Sequence, residues 1–572
     1  MRMKRFVLSR RWRILLSIVA VLQFAACDSV TVEKYHYNGI IATASPIATD
    51  IGLNILRDGG NAVDAAVAVG CALAVCYPEA GNIGGGGFAL IYDADLGNIT
   101  ALDFRETAPA SASRKMYLDS RGEVIASSSL LGAGAAGVPG TVAGLFEMWK
   151  KYGSMDWYRL LEPAIKLADT GFILDAYLTN KFAEYAKDLS IFPETKKVFF
   201  KNGAVLGQGD RLVQTDLAMT LERIGLDGLD GFYSGTTADM IVQSMQNNGG
   251  LISYEDLAGY RPLWREPVHF TFDSLDVYSM PPPSSGGVIL GEILKILEPF
   301  NFIKYTPSHP EYMHIFAEAC RLAYADRAVH LGDPDFTVNP VLELLDPQYL
   351  ESRRALINLQ STANSSEIGS GLPEKSVVES ESTTHFCIAD KSGNVVSLTY
   401  TINASFGSKL VVDSAGFLLN NEMDDFSIKP GVPNMYGLIG GKANEIEPGK
   451  RMLSSMSPTI VMNGDRPLLA LGAPGGSKII TTVAQAIINF TRFGMNLQKV
   501  VEHPRFHHQW LPDTLYLEVG GFDINIKQDL ISRGHLIKER EPYSDLQIIY
   551  IGSNRLMMGA SDPRKDGKTA GY

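Results

Sequence analysis

Cysteine is scarce in this chain: five in 572 residues, with no CxxC pair and no even spacing that would mark a disulfide framework. Cys71 and Cys76 fall inside the apolar run AVAVGCALAVC, where a buried thiol is the ordinary reading, so no disulfide is expected. There is no HExxH and no Cys/His ligand set. His507 and His508 are adjacent and would point to opposite faces of a regular strand, so neither a metal nor a cofactor is called for. No repeat of fixed period appears. Positive charge is short as well, with 51 basic against 63 acidic residues and a formal charge of -12. Part of that positive charge sits in the leader, at Arg2, Lys4, Arg5, Arg10, Arg11 and Arg13, so the body is more acidic still. Nucleic acid and anionic lipid surfaces are disfavoured as partners.

The apolar run from Ile14 to Ala26 falls short of the roughly 20 residues of a spanning helix and has the length of a signal-peptide core. It ends FAAC. Small Ala25 and Ala26 before Cys27 resemble a bacterial lipoprotein cleavage box, although Phe24 replaces the usual aliphatic residue. The expectation is an exported, periplasmic protein, with Cys27 as the candidate lipid tether to a membrane. An ordinary cleaved signal and an uncleaved anchor are the alternatives.

What is abundant is apolar sequence, 45% of the residues, enough to bury a large core, and length alone would suggest two to four domains. Turn residues between strand-like runs mark hairpins at 88–104, from Thr384, from Thr459 and from Leu546. Helical patterns run through 309–331, from Ala62 and from Ser477, rich in Ala and Gly and suited to close packing on a sheet. Stacked hairpins flanked by helices imply a layered α+β body. Residues 359–382 are rich in Ser, Gly and Glu, show neither period and read as a mobile loop. The chain divides there into a leader, 1–27, a helix-rich portion, 28–382, and a strand-rich portion, 383–572. A single sheet system drawn from both portions is expected, since the first hairpin would otherwise lack partners.

The loop ends on Thr383 and Thr384, at the start of a strand pattern. A threonine hydroxyl is a poor nucleophile without an adjacent base. If the bond between Ser382 and Thr383 were cut, the freed α-amine, with a reference pKa of about 7.7 to 8.0, could take the hydroxyl proton near neutral pH. Taken alone, a TT pair is ordinary β-branched strand sequence, and further residues must decide.

They do: TTHF, TYTINASFG, GFLLNNEMDDFSIKPGVPNMYGLIGG, KRMLSSMSPTIV, GAPGGSKIITTV, PRFHHQWLPD and the GASDPR and TAGY segments resemble the small subunit of γ-glutamyltransferases, self-cleaving N-terminal-nucleophile hydrolases. Upstream, NAVDAAVA, GNIGGGGFALIYD, DFRETAPA and AYADRAVHLGDPDF resemble the large subunit. The resemblance covers nearly all of the chain after the leader, in order. It implies a four-layer αββα sandwich, a precursor cut into 28–382 and 383–572, and a heterodimer of the two pieces. Thr383 is then both the self-cleaving and the catalytic nucleophile, and Thr401 the threonine that orients it. Gly475 and Gly476, in APGGS between a strand and a helix, correspond to the oxyanion hole, although a phosphate-cradling loop is the competing reading of those five residues alone.

A γ-glutamyl group carries an α-carboxylate and an α-ammonium, and burying both needs opposite charges placed to match. Arg105 offers a fork for the carboxylate, with hydroxyls from Ser454 and Ser455, while Asn403, Glu422 and Asp425 would receive the ammonium. Glutamate stands at 422 where some bacterial relatives have glutamine; the role is expected to persist with altered affinity. Residues 429–441 resemble the family's lid loop, with Tyr436 as gate, which favours amine acceptors over water. His385 is a candidate proton relay or a structural hydrogen-bonding residue. The stretch 81–87, GNIGGGG, precedes its strand and so does not read as a nucleotide loop.

The implied activity is transfer of the γ-glutamyl group of glutathione or a similar amide to water, or to an amino acid or peptide. A cephalosporin acylase-like enzyme acting on a glutaryl side chain is the nearest alternative, and the acids and the lid speak against it. A non-catalytic, lipid-anchored protein that binds glutamyl compounds is the alternative from another class.

Overall fold

The structure, a computed structural model, describes residues 34–372, 383–429 and 442–572. Cys27, Ser382 and the proposed gate Tyr436 lie outside them. All four hairpins expected from the sequence form, and their strands go into two facing antiparallel sheets. The first sheet has seven strands, in spatial order Lys568–Gly571, Gly39–Thr43, Thr384–Asp390, Val395–Thr401, Gly86–Asp93, Asn98–Phe104 and Leu263–Arg265. The second has six, Met557–Ser561, Gln547–Ile551, Arg466–Gly472, Thr459–Asn463, Leu275–Ser279 and Val268–Phe272. Each sheet thus mixes strands from both sides of residue 383.

Alternation explains the layering. Along Thr384–Asp390, Phe386 and Ile388 join the apolar cluster under one helical layer, whereas Cys387 and Ala389 join the cluster shared with the second sheet. Both faces are covered, so the strand reads as almost continuously apolar. The covering helix Ala62–Cys76 is buried at every residue, consistent with its lack of a polar face. Its start is fixed by a capping box, in which Asn61 accepts from the Val63 and Asp64 N–H groups and Asp64 accepts from that of Asn61. On the other side, Gly286–Leu297 and Lys478–Thr491 cover the second sheet, and Pro310–His330 packs beside Gly286–Leu297. The result is helix, sheet, sheet, helix, the four-layer αββα order. Among the described residues no helix is long and apolar enough to cross a membrane.

Residues 359–372 differ from the mobile loop expected of them. They carry no helix or strand, yet Trp510 Nε1 donates to the Ser365 and Ile368 carbonyls at 2.9 Å each. Asp513 accepts the Ser365 N–H and Asp326 that of Gly371, at 2.9 and 2.8 Å. Composition does not reveal pins supplied by distant positions. The rest of that loop, 373–382, lies outside the described residues.

Candidate active site

Thr383 directly precedes the strand Thr384–Asp390 and is 5% exposed. Thr384 pairs with Tyr400, so one further step of the register sets Thr383 level with Thr401. Thr401 Oγ1 accepts the Asn403 N–H at 2.8 Å through a lone pair, which leaves its own hydrogen to be donated. Its carbonyl accepts from Asn82 Nδ2 at 2.9 Å, and Asn82 Oδ1 in turn accepts from Gly85 N–H and the Thr141 hydroxyl. Here the glycine-rich stretch has its use. It precedes the strand Gly86–Asp93, and a Cβ on Gly85 would fall 2.0 Å from the Thr401 carbonyl oxygen. Only bare backbone lets the two strands approach so closely.

His385 lies two residues along, fully buried between the sheets. Nδ1 shares a hydrogen with Thr399 Oγ1 at 2.7 Å and Nε2 with Cys387 Sγ at 3.0 Å. Burial pulls its pKa down to about 3, too low for a base working near neutrality. Of the two roles the sequence allowed, the structural one fits.

The charged pocket begins at Arg105, 1% exposed at the end of the strand Asn98–Phe104. Nη1 donates to Glu422 Oε1 and Nη2 to Asp425 Oδ2, while Nε and Nη2 reach the Met452 and Leu453 carbonyls at 3.3 and 3.4 Å. The guanidinium therefore touches the segment leading into Ser454 and Ser455, each 2% exposed. Asn403 is tied to the segment before Glu422, with a backbone φ of 72° and Nδ2 donating to the Asn421 carbonyl at 2.9 Å. Its Oδ1, and Glu422 Oε2, are buried with no hydrogen-bond partner among the described residues. Burial pushes Glu422 well above the usual carboxylate range, against the pull of Arg105. The sequence reading missed Glu106, whose two carboxyl oxygens are buried with no hydrogen-bond partner among the described residues and whose Oε2 stands 3.7 Å from Arg105 Nη1. Its place directly after Arg105 in DFRE was the one available signal.

The glycine turn follows a strand of the second sheet. Strand Arg466–Gly472 ends against the strand Thr384–Asp390, since a Cβ on Gly472 would meet the His385 ring at 2.5 Å. Three residues on, Gly475 and Gly476 adopt φ of 128° and 57°, conformations in which a side chain is strained. The helix Lys478–Thr491 follows at once. The turn thus has the form of an anion-receiving loop, N–H groups ahead of a helix start.

A family model described as gamma-glutamyltranspeptidase matches residues 48–572. The chain belongs to the γ-glutamyltranspeptidase family. It is 48% identical over 536 residues to the glutathione hydrolase proenzyme of Escherichia coli (strain K12), covering 93% of this chain and 92% of that one. A cephalosporin acylase from Bacillus halodurans superimposes with a TM-score of 0.85 at 28% identity, over 96% of this chain and 98% of that one. The Helicobacter pylori gamma-glutamyltranspeptidase does so with a TM-score of 0.57 at 45% identity, over 57% of this chain and 94% of that one. The fold is the N-terminal-nucleophile hydrolase sandwich.

One group of described residues has the composition of a metal site. Ligand atoms of His314, Glu318 and His535 lie within 4.8 Å of one another. They are engaged already: His314 shares a hydrogen with His535 at 2.8 Å, and Glu318 accepts from Arg321, Thr362 and the Ala363 N–H. The cluster serves as a buried strap between the two portions of the chain. His507 and His508 are likewise held, by Thr481 and Gln509 and by Asp513.

Proposed function

We propose that the protein is a self-cleaving γ-glutamyltransferase that also hydrolyses glutathione and related γ-glutamyl amides. In this reading the Ser382–Thr383 bond is cut, and the new α-amine of Thr383 accepts the proton of its own hydroxyl. Oγ1 attacks the γ-carbonyl carbon while Thr401 orients it. The N–H groups of Gly475 and Gly476 receive the oxyanion, the amine leaves with the proton, and a γ-glutamyl ester remains on Thr383. Water or the amine of an amino acid or peptide then takes the acyl group. Tyr436, outside the described residues, is the proposed gate.

The observation that carries the reading is the sealed ion cluster of Arg105 with Glu422 and Asp425. A buried guanidinium facing two carboxylates can exchange partners with a zwitterion. The substrate α-carboxylate takes the fork of Arg105 with the hydroxyls of Ser454 and Ser455, and its α-ammonium takes Asn403, Glu422 and Asp425. Arg105 thus faces carboxyl groups in either state. A glutaryl group has no ammonium to offer, so it would leave the acids without that exchange.

Initial rates on a γ-glutamyl anilide and its glutaryl analogue test this. The γ-glutamyl compound is expected to be preferred by a hundredfold or more, on the order of a lost charged hydrogen-bond pair. Preference for the glutaryl anilide would overturn the assignment. Export and a lipid on Cys27, outside the described residues, complete the proposal; an N-terminal piece lacking the added acyl mass would remove the tether.

A further inference from the structure

Ser544 is a non-glycine residue held at φ 60°, in the left-handed region, and is 6% exposed. Its Oγ has no hydrogen-bond partner among the described residues. Both features are unfavourable, and glycine at this position would remove both. The surroundings nonetheless enforce them. Arg505 Nη1 donates to the Tyr543 carbonyl at 2.6 Å and also to the Ser544 carbonyl, and its Nη2 is ion-paired with Asp562. Asp562 also accepts the Leu546 N–H at 3.2 Å, so the backbone is clamped on both sides of Ser544.

The clamp aims the side chain at one place. A Cβ built on Gly475 would fall 2.3 Å from Ser544 Oγ and 3.5 Å from Ser544 Cβ. The hydroxyl therefore stands against the Cα of the first glycine of the proposed oxyanion turn. Gly475 is open backbone at φ 128°, free of side-chain restraint, and its peptide could rotate unless something fills that space.

We propose that Ser544 is a positioning residue for the glycine turn: its clamped side chain backs Gly475 and keeps that residue's N–H directed at the forming oxyanion. This rests on the transferase reading above. Donors aimed in advance stabilise the transition state more than the ground state, so the effect belongs in kcat and not in KM.

Ser544→Ala and Ser544→Gly test it, with the wild type as the control for the reaction itself. The probes are a γ-glutamyl anilide, free glutamate as a ground-state ligand, and a boronic acid analogue of glutamate, whose tetrahedral adduct places an oxygen where the oxyanion would be. Expected is a kcat lower by tenfold or more in both variants, with KM and glutamate affinity within twofold of wild type and boronate affinity reduced in step with kcat. Ser544→Thr, which keeps the hydroxyl, should recover part of the loss. Unchanged kcat in Ser544→Ala would overturn the proposal, as would equal losses of glutamate and boronate affinity. An inactive wild type would instead strike the transferase reading.

Discussion

Arg105, sealed between Glu422 and Asp425, shows how far a single residue can be read from the chain. Its identity and its neighbour motif were legible, because a buried zwitterion demands a fork of positive charge. Its resting partners were not, since they stand 317 and 320 positions away and depend on how two sheets meet. Glu106 was invisible for the same reason: a carboxyl in sequence says nothing about whether water reaches it. Burial pushes its pKa up to about 8, whereas an exposed glutamate titrates near 4.3. Between those values the folded protein holds a proton that the unfolded chain has released, so stability falls as pH rises through this window. Asp545, raised by burial to about 7, acts in the same sense. Glu106→Gln is therefore expected to shrink, without abolishing, the decline of the thermal midpoint between pH 5 and 8. A variant whose midpoint declines as steeply as the parent's would show that Glu106 carries no buried proton.

At the level of elements, hairpins and helices followed from period and turn chemistry, as the strand pair 384–401 and the helix Ala62–Cys76 show. Residues 359–372 did not, because their order comes from Trp510, Asp513 and Asp326 and not from any local pattern. The glycine-rich stretch before Gly86–Asp93 could be denied a nucleotide role from its position, but its packing purpose needed coordinates. Gly85→Ala sets a methyl 2.0 Å from the Thr401 carbonyl oxygen, and backbone cannot swing aside as a side chain can. Overpacking of this kind costs about 1–3 kcal/mol. We expect a lower denaturation midpoint together with slower self-cleavage, since the strand end bearing Thr401 must shift. Wild-type stability and wild-type cleavage in that variant would refute the close-approach account.

On the scale of the molecule, residue 383 marks no border in space. Both sheets take strands from each side of it. The pieces are therefore expected to stay together after cleavage, held by whole strands of backbone hydrogen bonds and one shared core. Intact mass should give two chains, the smaller beginning at Thr383, that leave a sizing column as one species and separate only in denaturant. Thr383→Ala should remain a single chain. Pieces that part in native buffer, or a Thr383→Ala protein that still cuts, would contradict this picture.

The strand Gly39–Thr43 lies between Thr384–Asp390 and Lys568–Gly571. It precedes both neighbours in the sequence, by more than 300 residues in one case and more than 500 in the other. A message broken off before Lys568 would leave an open edge one strand away from the proposed scissile junction. A chain lacking that last strand would expose the unpaired backbone donors and acceptors of Gly39–Thr43, beside the strand that starts just after Thr383.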